Sequence, residues 1–270
     1  VTEPARVSEN SPVLFVGAGP GDPELITLKG ARVLAEAQVV IWAGSLIHPD
    51  VLGHCDSSAE IHDSAGLDLG AIVSLMAEGY RAGRRVVRLH TGDPAIYGAI
   101  GEQMDELDGI GIPYTVIPGV SSFAASAAAL RVELTAPEIS QTVILTRRAG
   151  RTPVPEGQDL VSLASHRATI CLFLSVGQIE EVVRDLAEHY PLETPVGVVA
   201  NASWPEERIV RGELRDIAEK VQAADINRTA MIVVGDVLHP VETRSKLYDA
   251  GFAHGYRKAG APGGNHRGGA

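Results

Sequence analysis

The chain of 270 residues carries 34 acidic and 23 basic side chains, a net charge of -11 that repels nucleic acid and anionic membranes at long range. Hydrophobic residues at 45 % and charged residues at 21 % match a packed globular protein and exclude a disordered one. The two cysteines, Cys55 and Cys171, form no CxxC pair, which excludes a disulfide framework and a zinc knuckle.

No basic region leads into an apolar run, and no stretch reaches ~18 consecutive apolar residues, so a cytoplasmic protein is expected. Aromatic residues are only 4 % of the chain. The core must then come from Val, Leu, Ile and Ala, which favours a parallel sheet under Ala- and Leu-rich helices.

Residues 1–12 are polar and read as a loose end. Residues 13–16 form a short apolar run stopped by Gly17, a buried strand. A helix is expected over 27–37 and a second buried strand over 39–42. The region from His54 to Asp63 reads as loop and short strand. Leu69, Ile72, Val73, Met76 and Tyr80 stand at helical offsets with one buried face. Residues 85–89 read as a strand, 95–107 as a helix and 114–117 as another strand.

Pro118-Gly119 is a candidate interdomain joint, followed by an Ala-rich helix over 123–130. In the second half, strands are expected over 142–146, 169–174, 196–200 and 230–234. Ile179, Val182, Val183, Leu186 and Tyr190 mark a helix between two of them. A short strand over 208–210, after the Trp204-Pro205 turn, would make this second sheet mixed. Residues 259–270 are a Gly-rich tail. Strands alternating with helices predict an α/β protein with two domains, 12–118 with a mainly parallel sheet and 119–240 with a mixed one. Residues 241–270 form a C-terminal extension, and a cleft separates the domains.

Three turns at strand ends carry the chemistry. Gly17-Ala18-Gly19-Pro20-Gly21-Asp22-Pro23 lets backbone approach a ligand closely. It fails the dinucleotide fingerprint, because Asp22 stands where the third glycine would, and it lacks the lysine of a nucleotide P-loop. In Thr91-Gly92-Asp93-Pro94-Ala95-Ile96-Tyr97-Gly98, Pro94 suits a first helical turn and Asp93 an N-cap. In Pro118-Gly119-Val120-Ser121-Ser122, either serine could cap the Ala-rich helix or hydrogen-bond a polar cofactor group such as a carboxylate. Loops of this kind converge on the crevice where open α/β sheets bind ligands.

In this order and at these separations, the three loops resemble those of the tetrapyrrole (class III) methyltransferases, paired α/β domains that methylate corrin and sirohaem precursors. The resemblance spans about residues 13–238. The run from Glu138 to Pro153, and Ser245-Lys246-Leu247-Tyr248-Asp249 near the end, resemble the branch of that family that methylates C11 of precorrin-4 in cobalamin biosynthesis. The resemblance implies S-adenosyl-L-methionine as cofactor, S-adenosyl-L-homocysteine as product and a homodimer. It implies cofactor contacts from Pro20, Gly92, Asp93, Ile96, Tyr97, Ser121 and Ser122. From the second domain it adds Leu174, Ala202 and the backbone at Thr229 and Ala230. Leu174 takes the place of a residue that is often Met in relatives and keeps an apolar wall.

An electron-rich substrate carbon needs no protein nucleophile, so the enzyme's task is to hold it and the methyl group ~3–3.5 Å apart and in line. A base for the proton lost elsewhere on the macrocycle is unassigned; His90 and Asp93 are nearest in sequence, with capping or core roles as the alternative. The substrate is a polycarboxylate. Arg147, Arg148 and Arg151 offer bidentate partners for its carboxylates, the alternative being a solvated basic loop. His54, Cys55, His62 and Asp63 match no zinc spacing, so no metal is expected. The Trp204-Pro205-Glu206-Glu207 turn reads as a strand connection. Rival readings are methylation of another ring carbon, action on the cobalt-loaded intermediate, or a nonenzymatic tetrapyrrole-binding module. An RNA-modifying relative would need a more basic face.

Overall fold

A five-stranded, all-parallel sheet forms the first half of the chain, in a computed structural model that describes residues 11–239 together with 245, 247, 249, 252, 253 and 255–257. Its strands are β1 (Val13–Gly17), β2 (Val39–Trp42), β3 (Glu60–Asp63), β4 (Val86–His90) and β5 (Tyr114–Ile117). They lie in the order β3-β2-β4-β1-β5. Helix α1 (Leu28–Ala35) covers one face, and α2 (Leu69–Arg81) with α3 (Ile100–Gly109) covers the other.

The central strands are buried on both sides, which is why β2 reads as an unbroken apolar run rather than an alternating one; β4 is buried throughout but carries Arg88 and His90. The helices start where short polar side chains satisfy backbone donors. Thr27 accepts from the Gly30 amide at 3.0 Å and Asp68 from the Ala71 amide at 2.8 Å.

The second half builds a mixed sheet from β6 (Val143–Arg147), β7 (Thr169–Phe173), β8 (Pro195–Ala200), β9 (Arg208–Glu213) and β10 (Ala230–Val234). The order is β6-β7-β10-β8-β9, and β6–β7 is the one parallel pairing among these five strands. Helix α4 (Ser122–Leu130) lies on one face. Helices α5 (Leu160–Ala164), α6 (Ile179–Ala187) and α7 (Ile217–Ala223) lie on the other.

Two features depart from the sequence expectations. The helix expected over 95–107 begins only at Ile100, because Tyr97 and Ala99 take left-handed backbone conformations (φ 54° and 48°) that break the helical path. Helices α5 and α7 are too short for their apolar periodicity to stand out. Residues 1–10 of the expected loose end (1–12) and the Gly-rich tail (259–270) lie outside the described residues. So do Lys246 and Tyr248 of the C-terminal motif.

The topology positions a site. Strands β1 and β4 are neighbours, but β1 leads into α1 on one face and β4 into α3 on the other. Their connections therefore leave toward opposite faces at the carboxyl ends of the strands, the position where open α/β sheets form a ligand crevice.

Candidate active site

The three turns singled out in sequence meet at this crevice, and backbone joins them. The Gly19 amide donates to the Gly92 carbonyl at 3.3 Å, and the Gly92 amide returns to Gly19 at 2.8 Å. Glycine is required by the closeness of approach. A Cβ on Gly17 would lie 2.6 Å from the Cα of Gly119, and one on Gly119 would collide with the Gly92 carbonyl oxygen. Asp93 ties the third loop to the second. One carboxylate oxygen accepts from the Ala95 amide at 2.8 Å and the other from the Gly119 amide at 2.9 Å. With both oxygens engaged, its role here is to brace the loops.

Pro20 and Gly92 are buried in this junction, and Ile96 is half-buried with its amide on the Asp93 carbonyl at 3.1 Å. Tyr97 stands out of it, 47 % exposed. Ser121 is the buried N-cap of α4 and makes no side-chain capping bond; Ser122 is the helix's first residue. That helix N-terminus adds partial positive charge to the same place.

The second sheet supplies the opposite wall through its register. Ala230 pairs with Ala200, and Ile232 with Leu172, so one edge gathers the ends of β6, β7 and β8 and the start of β10. Leu174, Ala202, Thr229 and Ala230 all stand on that edge. Leu174 is 70 % exposed, with a left-handed backbone (φ 53°). Asn201, Ser203 and Thr229 share that conformation (φ 50°, 68° and 49°), and such departures cluster where function holds them in place.

The two walls touch. Tyr97 packs on Phe173 with ring centroids 5.1 Å apart. The Trp204 indole N–H donates to the Pro20 carbonyl at 2.9 Å, and the Asp22 amide donates to the Ser203 hydroxyl at 3.1 Å. Sequence reading treated the Trp204-Pro205 turn as a plain connection. It does join β8 to β9, and it also grips the first loop. The available signal was a tryptophan in a chain with only two.

The basic trio divides. Arg147 donates to the carbonyls of Arg148, Thr152 and Pro153, so its guanidinium is folded over its own loop. Arg148 faces α6, where its guanidinium bonds Asp185 at 2.6 Å and Gln178 at 2.7 Å. Arg151 is exposed.

His90 lies beneath the junction, 5 % exposed, with no partner for Nε2. Burial, aided by the neighbouring Arg88 cation, pushes its pKa down to about 3 and keeps the ring neutral at physiological pH. Arg88 is itself buried and held by Gln103 at 3.1 Å and the Ile41 carbonyl at 3.2 Å. Burial lowers its pKa to about 10, which leaves it charged.

His54 bonds the Pro23 carbonyl, His62 pairs with Glu60, and Asp63 accepts from the Gly44 amide. Among the described residues, no three or more His, Cys, Asp or Glu side chains are gathered as a metal site would need.

Residues 12–218 match the family model of the tetrapyrrole (corrin/porphyrin) methylases. The chain belongs to that family. A cobalt-precorrin-4 C(11)-methyltransferase of Methanocaldococcus jannaschii is 54 % identical over 94 % of this chain and 98 % of its own length. A precorrin-4 C(11)-methyltransferase of Pseudomonas aeruginosa is 49 % identical over 91 % and 98 %. Among solved tetrapyrrole methylases, a cobalt-precorrin-4 methyltransferase superposes with a TM-score of 0.82 at 45 % identity, covering 84 % of this chain and 96 % of that one. A uroporphyrin-III C-methyltransferase of Thermus thermophilus, complexed with S-adenosylhomocysteine, superposes with a TM-score of 0.72 at 31 % identity, covering 85 % and 94 %. As in those relatives, two α/β domains make up this methylase.

Proposed function

We propose that this protein is an S-adenosylmethionine-dependent methyltransferase that methylates C11 of precorrin-4, metal-free or cobalt-loaded, in cobalamin biosynthesis. The observation that carries the reading is the convergence of three Gly-rich loops on one crevice that the second domain closes. Relatives that align over more than nine-tenths of the chain and bear that activity in their names support it.

The crevice suits the cofactor's three chemical parts. Ser121, Ser122 and the N-terminus of α4 can bind its carboxylate. Leu174 and Ala202, with the backbone at Thr229 and Ala230, offer an apolar wall with polar backbone for adenosine. Bound there, S-adenosylmethionine supplies a methyl group made electrophilic by its sulfonium. Gly17, Gly92 and Gly119 hold the crevice to one width, with Asp93 bracing it, so orientation is fixed before the substrate arrives. Tyr97 and Phe173 exclude water along the shared wall. Arg151, exposed on the loop that follows β6, is free to meet a substrate carboxylate, and Arg147 at the end of β6 would do so by giving up its loop carbonyls. Cytoplasmic location and a homodimer complete the reading; among the described residues no helix is long and apolar enough to cross a membrane.

Calorimetric titration with S-adenosylhomocysteine, followed by assay of labelled methyl transfer to precorrin-4, tests this function. Micromolar one-to-one binding and a C11-methylated product are expected. Well-folded protein that binds no S-adenosylhomocysteine would refute it.

A further inference from the structure

The Pro20–Asp22 segment is held by the opposite domain. Its carbonyl at Pro20 and its amide at Asp22 both bond to the turn after β8, through the Trp204 indole N–H and the Ser203 hydroxyl. Between these two bonds sits Gly21, and a Cβ there would fall inside the Trp204 indole ring. On its other side the ring meets His48 edge-on, at 4.8 Å and 88°. The grip combines two hydrogen bonds, a ring contact and a glycine whose missing side chain leaves room for the indole.

The turn that grips is itself anchored to the crevice. Asn201 donates to the Thr229 carbonyl at 2.9 Å, the Trp204 amide to the Asn201 carbonyl at 2.9 Å, and the Ser203 amide to Glu207 at 2.7 Å. A shift of Trp204 would therefore move the Gly-Pro-Gly loop on one wall and the Thr229 edge on the other. The loop has little stiffness of its own, because three of its residues are glycine.

We propose that Trp204, with Ser203, is a positioning residue for the methyl-donor site: it sets the distance between the two walls and thereby the affinity for S-adenosylmethionine. The proposal rests on the crevice being the cofactor site. It makes no demand on the macrocycle, so its signature is a defect in donor binding alone.

Trp204→Phe keeps the ring and deletes the donor, and it should weaken S-adenosylhomocysteine binding roughly tenfold, as loss of one partly buried hydrogen bond implies. Trp204→Ala should weaken it further. KM for the methyl donor should rise in step, with KM for precorrin-4 unchanged. Gly21→Ala gives the reciprocal test, weakening binding in the wild-type background and by less in Trp204→Ala, where the obstructing ring is gone and only the backbone strain at φ 159° remains.

If Trp204→Ala fails to fold, Trp42→Phe leaves Trp204 as the sole tryptophan, and its emission should shift as S-adenosylhomocysteine binds. Equal affinity in wild type and Trp204→Phe, no emission change on binding, or a parallel rise in the KM for precorrin-4 would each overturn the proposal. Wild-type protein that binds no S-adenosylhomocysteine would instead overturn the cofactor reading beneath it.

Discussion

The Asp93 carboxylate reaches the Gly119 amide at 2.9 Å, joining the loop after β4 to the loop after β5. Its other oxygen holds Ala95, so one side chain fixes both the start of a turn and the spacing between two loops of one wall. Asn in its place offers a single acceptor, and its NH₂ group would face the other backbone donor. Asp93→Asn should cost ~1.5–3 kcal/mol of stability, as loss of one hydrogen bond to a charged group implies. It should also weaken S-adenosylhomocysteine binding at least tenfold. Thermal melts and calorimetry would check both, and an unchanged affinity would remove the bracing role.

Gln103 links a buried cation to the exposed turn. Its carbonyl accepts from Arg88 and its amide donates to the Ala99 carbonyl at 3.1 Å, beside the left-handed Tyr97 and Ala99. Gln103→Leu should destabilise the fold by ~1–3 kcal/mol, because Arg88 keeps its charge and loses a partner. Gln103→Glu restores a partner for Arg88 but cannot donate to Ala99. Denaturant melts should place it above Gln103→Leu in stability, while both variants bind S-adenosylhomocysteine more weakly than wild type.

The neutral, buried His90 gives stability a pH dependence. Its folded pKa, about 3, lies below the ordinary value of 6.5, so between these values the unfolded chain binds a proton that the folded protein refuses. Stability is full above pH 6.5 and falls as pH drops toward 3, by up to about 1.4 kcal/mol per unit. His90→Gln should flatten this slope in urea melts at pH 4 to 7. An unaltered slope would show that other groups dominate acid unfolding.

On the proposed reading, replacing Arg147 and Arg151 separates substrate binding from cofactor binding. Alanine at both positions should raise the apparent KM for the macrocycle several-fold, since bidentate carboxylate contacts are lost. The affinity for S-adenosylhomocysteine should stay the same. Steady-state kinetics with precorrin-4 would check the first and calorimetry the second; an unchanged KM would leave both arginines as loop residues.

The sequence alone was enough for the two α/β halves, for most strands and for the three loops. Buried parallel strands are written as local apolar runs, and Gly-Asp-Pro turns as local backbone requirements. The turn at Tyr97 was not legible, because residues 95–107 carry helix-compatible side chains throughout. What holds Ala99 out of the helix includes a bond to Gln103, whose partner Arg88 comes from another strand.

Tertiary structure alone decided what the polar side chains do. Nothing near Arg148 in sequence announces Asp185, nothing near Asp93 announces Gly119, and Pro20 lies 184 residues from the indole that holds it. Local chemistry sets which turns form. Only the packing of the two halves against each other settles which groups are left free to meet a ligand.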